Sequence, residues 1–250
     1  MDEQLFKKRL EELAQTAFMN SVYTHTLFLS EREQSLFHEM RKELSFADAS
    51  LYGGHEDYDR CIVVFGSKEM FGYEGEIPLA CAKVSPLFEK YAEPLSHRDY
   101  LGALMNLGIE RSQIGDILVS GKEAYIFCFE HMAGFLCHEL TKVRNTQVNT
   151  AVVDFKEIHY QQEYITKDGF VSSPRLDALV GLAYGLSRSK ALSLFQSQKV
   201  FIRGKLETRN SYQAKPEDVI SVRGFGKFRF SEQGRETKKG RYHVKLQIYK

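Results

Sequence analysis

Two arginines and a lysine gather around what reads as a helix pair near the C-terminus: Arg175, Arg188 and Lys190, in the segment Pro174-Arg-Leu-Asp-Ala-Leu-Val-Gly-Leu-Ala-Tyr-Gly-Leu-Ser-Arg-Ser-Lys-Ala191. Ser187 is suited to capping a helix N-terminus, so Arg188 and Lys190 fall in the first turn of the helix that follows. Cations there face the positive end of the helix dipole, at a cost of ~0.3–1 kcal/mol each when exposed. A helix tuned only for stability would carry Asp or Glu at those positions. The arrangement makes sense if a phosphate completes it, because free N–H groups at a helix N-terminus bind anions. Arg203, Lys205, Arg223 and Lys227 continue the basic series downstream. The chemistry expected of all seven is contact with a sugar-phosphate backbone, for which the planar guanidinium fork is well shaped. Competing readings remain open residue by residue. Arg175 could pair with Asp177 or Asp218, and Lys205, Arg223 and Lys227 could be plain solvated charges. Asp177 reads as a structural helix residue rather than an acid or base.

The charge distribution agrees with a polyanion partner. The chain has 250 residues and a formal net charge of +1. From Pro174 to Lys250 there are 17 Lys and Arg against 6 Asp and Glu, a net of +11, and the preceding residues carry 17 against 27, a net of −10. Such asymmetry suggests a basic binding module joined to an acidic body. Apolar residues are 43% and charged residues 27%, ordinary values for a globular protein. No apolar run approaches the ~18 residues that span a bilayer. The amphipathic N-terminus lacks the apolar core of a secretory signal. Cys61, Cys81, Cys128 and Cys137 have no CxxC spacing and lie in apolar contexts that suit reduced, packed thiols. The expectation is a cytoplasmic protein with no structural metal and no cofactor.

The elements that must carry these residues follow from periodicity. Asp2–Met19 reads as a helix, and Ser30 with Glu33 forms a capping-box pattern before a second helix over Glu31–Glu43. Short strands are expected around Ala49–Tyr52 and Arg60–Phe65, giving a small α/β unit over residues 1–76. Residues 77–158 give strand Leu79–Val84, helix Arg98–Leu107, strands Gln113–Val119 and Ala124–Phe129 joined by a tight turn, helix His131–Val143 and strand Val148–Phe155. The order βαββαβ is that of the ferredoxin-like fold, which RNA-recognition domains share. Ala124-Tyr-Ile-Phe-Cys-Phe129 has the aromatics of an RNA-recognition strand but lacks its basic and glycine positions, so scaffolding and RNA contact are both open. Residues 159–173 read as a polar, partly extended connector. Residues 174–250 read as two helices followed by a small sheet, with strands near Lys199–Lys205, two within Asp218–Phe230, a basic hairpin loop over Gly234–Gly240 and a last strand over Tyr242–Tyr249. The fold class expected is α+β.

The C-terminal residues carry a family resemblance. Arg175-Leu-Asp177, Leu-Ser-Arg-Ser-Lys-Ala (186–191), Val-Phe-Ile-Arg-Gly-Lys (200–205) and Lys-Pro-Glu-Asp-Val-Ile-Ser-Val (215–222) resemble an S4 RNA-binding domain, over about 60 residues in order. With Gly-Ala-Leu-Met-Asn-Leu-Gly-Ile (102–109) and Ile-Gly-Asp-Ile-Leu-Val (114–119) upstream, the whole chain resembles the YlmH family of bacterial S4 proteins. Arg203 stands where that pattern commonly has a small polar residue. The resemblance implies association with rRNA and peptidyl-tRNA on the large ribosomal subunit, in ribosome-associated quality control of stalled translation. By motif position, it implies that Arg175 and Arg188 touch rRNA and tRNA.

Two other functional classes are weighed against this. An RNA-modifying enzyme of the pseudouridine synthase or methyltransferase type could use an S4 domain for substrate. The Arg-Leu-Asp triplet here lies inside the S4 pattern, however, and Gly224-Phe-Gly226 precedes a strand rather than a helix. No P-loop, HExxH, HIGH or KMSKS signature occurs. An adaptor whose acidic body docks a protein partner is also open.

Overall fold

The computed structural model describes residues 3–55, 58–158, 160, 163–237 and 240–249. The chain divides into two compact units, Met1–Gln161 and Gln162–Lys250, and the fold is α+β, as its composition of segments leads one to expect.

The first unit begins with α1 (Glu3–Asn20), whose Phe6, Leu10, Leu13 and Ala17 recur at helical spacing and are buried. After the short strand β1 (Thr24–His25), α2 (Glu31–Met40) starts at the expected capping box: Ser30 Oγ accepts from the Glu33 amide, and the Glu33 carboxylate accepts from the Ser30 amide at 2.6 Å. Strands β2 (Ala49–Tyr52) and β3 (Ile62–Phe65) complete a three-stranded sheet in the order β1-β3-β2, with all four residues of β3 buried. A single turn, α3 (Lys68–Phe71), leads onward.

Next come β4 (Leu79–Pro86), α4 (His97–Asn106), β5 (Ile114–Ser120), β6 (Glu123–Phe129), α5 (Glu130–Glu139), β7 (Lys142–Val143) and β8 (Thr146–Val153). They form an antiparallel sheet in the order β5-β6-β4-β8-β7. The first and third strands of the βαββαβ series, β4 and β6, are therefore adjacent and central, as the ferredoxin-like fold requires. The helix expected over His131–Val143 stops at Glu139. Leu140 leaves the helical region at ψ 75°, and Lys142 and Val143 pair instead with Gln147 and Thr146.

One face of this sheet packs on Tyr100, Leu104 and Leu136 from the two helices. The other face carries Tyr125 and Phe127, at 4% and 0% exposure, and is covered within the same unit. Phe155 stacks on Phe127 at 5.9 Å, and the His55 ring lies 4.8 Å from it. Phe129 is 2% exposed against Phe28 and Ile62. The aromatics that could have read RNA from this sheet are core residues. A polar clasp reinforces the closure. Asp116 on β5 accepts from the amides of Asp59 (2.7 Å) and Arg60 (3.0 Å), while the Arg60 guanidinium donates to the carbonyls of Phe28, Arg111 and Ile114. Such bonds satisfy a charge whose burial alone would be costly.

The second unit is one antiparallel sheet and two helices. The strands are β9 (Tyr164–Val171), β10 (Val200–Ile202), β11 (Lys205–Leu206), β12 (Val219–Val222), β13 (Gly226–Glu236) and β14 (Tyr242–Tyr249), in the order β11-β10-β12-β13-β14-β9. Helices α6 (Leu176–Tyr184) and α7 (Arg188–Gln196) pack Leu179, Val180 and Phe195 onto Ile220, Phe228, Phe230, Val244 and Leu246. The segment read as a connector supplies the edge strand β9, paired with β14 along its whole length. Its Gly169 lies close beneath α6: a Cβ there would come within 2.5 Å of the Leu182 side chain, which would have to shift to admit one. The basic loop expected over Gly234–Gly240 is shorter, because β13 runs to Glu236; residues 238 and 239 of that loop lie outside the described residues. Arg203 and Gly204 (φ 48° and 76°) form the two-residue turn between β10 and β11, a geometry with positive φ at both positions.

Candidate nucleic-acid interface

Gly185 ends α6 at φ 63°, a left-handed cap that suits glycine, and turns the chain so that α7 starts beside α6. Ser187 caps α7, its hydroxyl accepting from the Lys190 amide. No acidic residue occupies the first turn of α7, whose first residue is the exposed Arg188. Beside this corner lies an open groove of about 840 Å³, into whose lining come Arg175, Arg188 and Arg241, with Ala178 and Leu182 of α6 and Leu186 below them. Arg241 immediately precedes β14 and reaches the groove because β14 pairs with β9.

Arg175 is the N-cap residue of α6 and is held by its neighbour. Its Nε and Nη2 donate to the two Asp177 oxygens at 3.0 and 2.8 Å. Asp177 also accepts from Asn210 Nδ2 and the Ala178 amide. Burial works against the Asp177 charge, but the bonds from Arg175 and Asn210 and the charge of Arg175 outweigh it and hold its carboxyl below the usual range. The same bonds raise Arg175 above the ordinary arginine value. A guanidinium has five donors and this pair uses two of them, so Arg175 is oriented by Asp177 and keeps donors for a further acceptor. Asp177 is thus a positioning carboxylate, with its lone pairs committed.

The seven cations singled out in the sequence do not share one surface. Arg175 and Arg188 line the groove. Lys190, in the first turn of α7, is exposed and does not line it. Arg203 sits in the β10–β11 turn, 3.2 Å from Asp218, with Lys205 next to it. Arg223 lies over the Phe201 ring at 5.4 Å and Lys227 over the Tyr249 ring at 4.3 Å. Arg241 was missed because it lies in no helical or strand motif. Its signal would have been the pairing of β9 with β14, which requires recognising Tyr164–Val171 as a strand.

A second groove, of about 550 Å³, lies in the first unit, between α4 and the end of α5. Arg98, Lys142 and Arg144 line it with Asn106, while Asp99 stands 3.7 Å from Arg144. Among the described residues no three His, Cys, Asp or Glu side chains gather where a metal ion could sit, and no helix is long and apolar enough to cross a membrane.

Residues 86–157, which contain the second groove, match the model of a protein family described as "Putative RNA-binding domain in YlmH". The chain is 27% identical over 231 residues to the "Ribosome-associated protein quality control protein P2" of Bacillus subtilis (strain 168), covering 90% of this chain and 87% of that one. Among solved structures, "Cell division protein ylmH from Streptococcus pneumoniae" superposes with a TM-score of 0.46 at 19% identity, over 63% of this chain and 94% of that one.

Proposed function

We propose that this chain is a cytoplasmic, non-enzymatic member of the YlmH family whose C-terminal residues 174–250 are an S4 domain. In this reading it holds rRNA and peptidyl-tRNA on the large ribosomal subunit during quality control of stalled translation. The observation that carries the proposal is the convergence of Arg175, Arg188 and Arg241 on one groove beside the start of α7. Three guanidinium groups around a helix N-terminus suit phosphates of a folded RNA, which proteins recognise by shape, phosphates and 2′-hydroxyls. The matched segment 86–157 adds a second contact through Arg98, Lys142 and Arg144, because its sheet face is closed by its own core. The state of Asp177 supports binding over catalysis: the aspartate of the Arg-Leu-Asp triplet is tied into four hydrogen bonds and is a poor candidate for a nucleophile. The test is sedimentation of the tagged chain with separated ribosomal subunits, followed by sequencing of crosslinked RNA. Recovery of large-subunit rRNA and tRNA is expected. A chain that stays in the ribosome-free fraction refutes the proposal.

A further inference from the structure

The two helices of the second unit cover one face of its six-stranded sheet, and the opposite face carries aromatic rings and cations. Val244 and Leu246 of β14 lie in the helix-packed core. Side chains alternate along a strand, so His243, Lys245, Gln247 and Tyr249 point away from the helices. Residues directly opposite one another in an antiparallel pair share a face, which places Phe170 with His243, Tyr164 with Tyr249 and Arg229 with Gln247. Lys227, two residues before Arg229, falls on the same side.

Contacts agree with this placement. The Tyr164 and Tyr249 rings meet edge-on at 4.9 Å, and Lys227 Nζ lies 4.3 Å above Tyr249. Arg229 sits 5.8 Å from the Tyr164 ring and donates to the Tyr249 hydroxyl at 3.3 Å. Phe170 leans on His243 at 5.2 Å and leaves 59% of its surface in water. A phenyl ring so exposed on an edge strand contributes little to this fold. Phe170 also borders the groove at the helix corner, so the sheet face and the groove meet at this residue.

We propose that this open sheet face is a second RNA surface, which takes an unpaired strand by stacking bases on Phe170 and the Tyr164–Tyr249 pair. The proposal rests on the RNA-binding reading above and adds to it the kind of RNA. Every base has a π-face, so aromatic platforms flanked by cations bind single strands with little sequence preference. Charge selects nucleic acid over a protein partner: residues 162–250 carry 18 Lys and Arg against 8 Asp and Glu, a net of +10. Three carboxylates share the face: Glu232 pairs with Lys245 at 2.6 Å, Glu217 with Arg229 at 3.8 Å, and Asp168 stands directly across from Lys245 on β9. The groove at the helix corner grips phosphates of folded RNA, and the sheet face holds a neighbouring unpaired segment. The unit thereby joins two RNA elements.

The test uses the full chain and two probes, a single-stranded oligoadenylate carrying 2-aminopurine and a fully paired RNA hairpin. Phe170→Ala should weaken the oligoadenylate about 5- to 150-fold, the effect of losing one stacked base, and abolish most of the 2-aminopurine quenching. Phe170→Tyr should restore both. Tyr164→Ala, on the open face but outside the groove lining, should likewise weaken the oligoadenylate while hairpin affinity barely moves. Arg188→Ala should weaken the hairpin and spare the oligoadenylate. Unchanged oligoadenylate binding in Phe170→Ala, or full competition between the two probes, overturns the second surface alone. Failure of the wild-type chain to bind either RNA overturns the RNA-binding reading with it.

Discussion

Asp177 organises the candidate groove, and its replacement by asparagine has a calculable cost. Its side chain is 4% exposed and accepts four hydrogen bonds: from Arg175 Nε and Nη2, from Asn210 Nδ2 and from the Ala178 amide. A hydrogen bond to a charged group contributes roughly 1.5–3 kcal/mol net, but bonds to one carboxylate are not additive. The pair with Arg175, which is 32% exposed, is further weakened by solvent. An asparagine side chain at this position would keep one acceptor oxygen and turn an amide group toward another donor. Together these give a loss of about 2–4 kcal/mol at neutral pH. The pH dependence has a definite sign. The folded-state carboxyl lies below its ordinary value, so its stabilisation is fully present above the unfolded value of about 3.9 and disappears as pH falls through the folded value. Urea unfolding at pH 7 and pH 3 measures both effects. Asp177→Asn should be less stable at pH 7 and should lose less than the wild type on acidification. A variant within about 0.5 kcal/mol of wild type at pH 7, with the same loss at pH 3, refutes the argument.

Other consequences can be checked in the same material. The Tyr184 hydroxyl is buried and has no hydrogen-bond partner among the described residues, so Tyr184→Phe should raise stability by up to about 1 kcal/mol in urea titrations, and a clear loss would reveal a hidden partner. Arg203 holds φ 48° in a turn that prefers Asn, but it is the exposed partner of Asp218, whose side chain is only 7% exposed. Losing the cation beside a buried carboxylate outweighs the relaxed turn, so Arg203→Asn should lower stability by about 1 kcal/mol in chemical denaturation, and a gain would contradict the argument. Burial pushes the Cys61, Cys81 and Cys128 thiols up to about 12, whereas Cys137 is partly exposed. Alkylation of the native chain at pH 8 should label Cys137 first by mass spectrometry, and equal labelling of all four would contradict the packing.

Local chemistry made much of the fold legible. The Ser30–Glu33 capping box, the Ser187 cap and the alternation of Val244, Leu246 and Ile248 each act within a few residues, and each is found where periodicity put it. The ferredoxin-like order was readable because its hairpin turn and two amphipathic helices are strong local signals. What escaped notice depends on distant pairing. Tyr164–Val171 is polar and half exposed, since it forms an edge strand with one side open, so it lacks the apolar pattern that marks a central strand. Missing that strand hid Arg241 and Phe170, which acquire neighbours only through β14. The basic series was visible as composition, but residue spacing alone could not divide it between the helix corner, the β10–β11 turn and the open sheet face. The fate of Tyr125 and Phe127 was equally non-local, because Phe155 and His55 cover the latter from segments far along the chain.

The central claim is that guanidinium groups at the α6–α7 corner bind phosphate. Filter binding of the intact chain to large-subunit RNA over a series of salt concentrations tests it directly, with wild type compared against Arg188→Ala/Arg241→Ala and folding checked by circular dichroism. Two lost phosphate contacts should weaken binding at every salt concentration and flatten the log–log salt dependence by about 2. A folded double variant with wild-type affinity and wild-type slope would contradict the account.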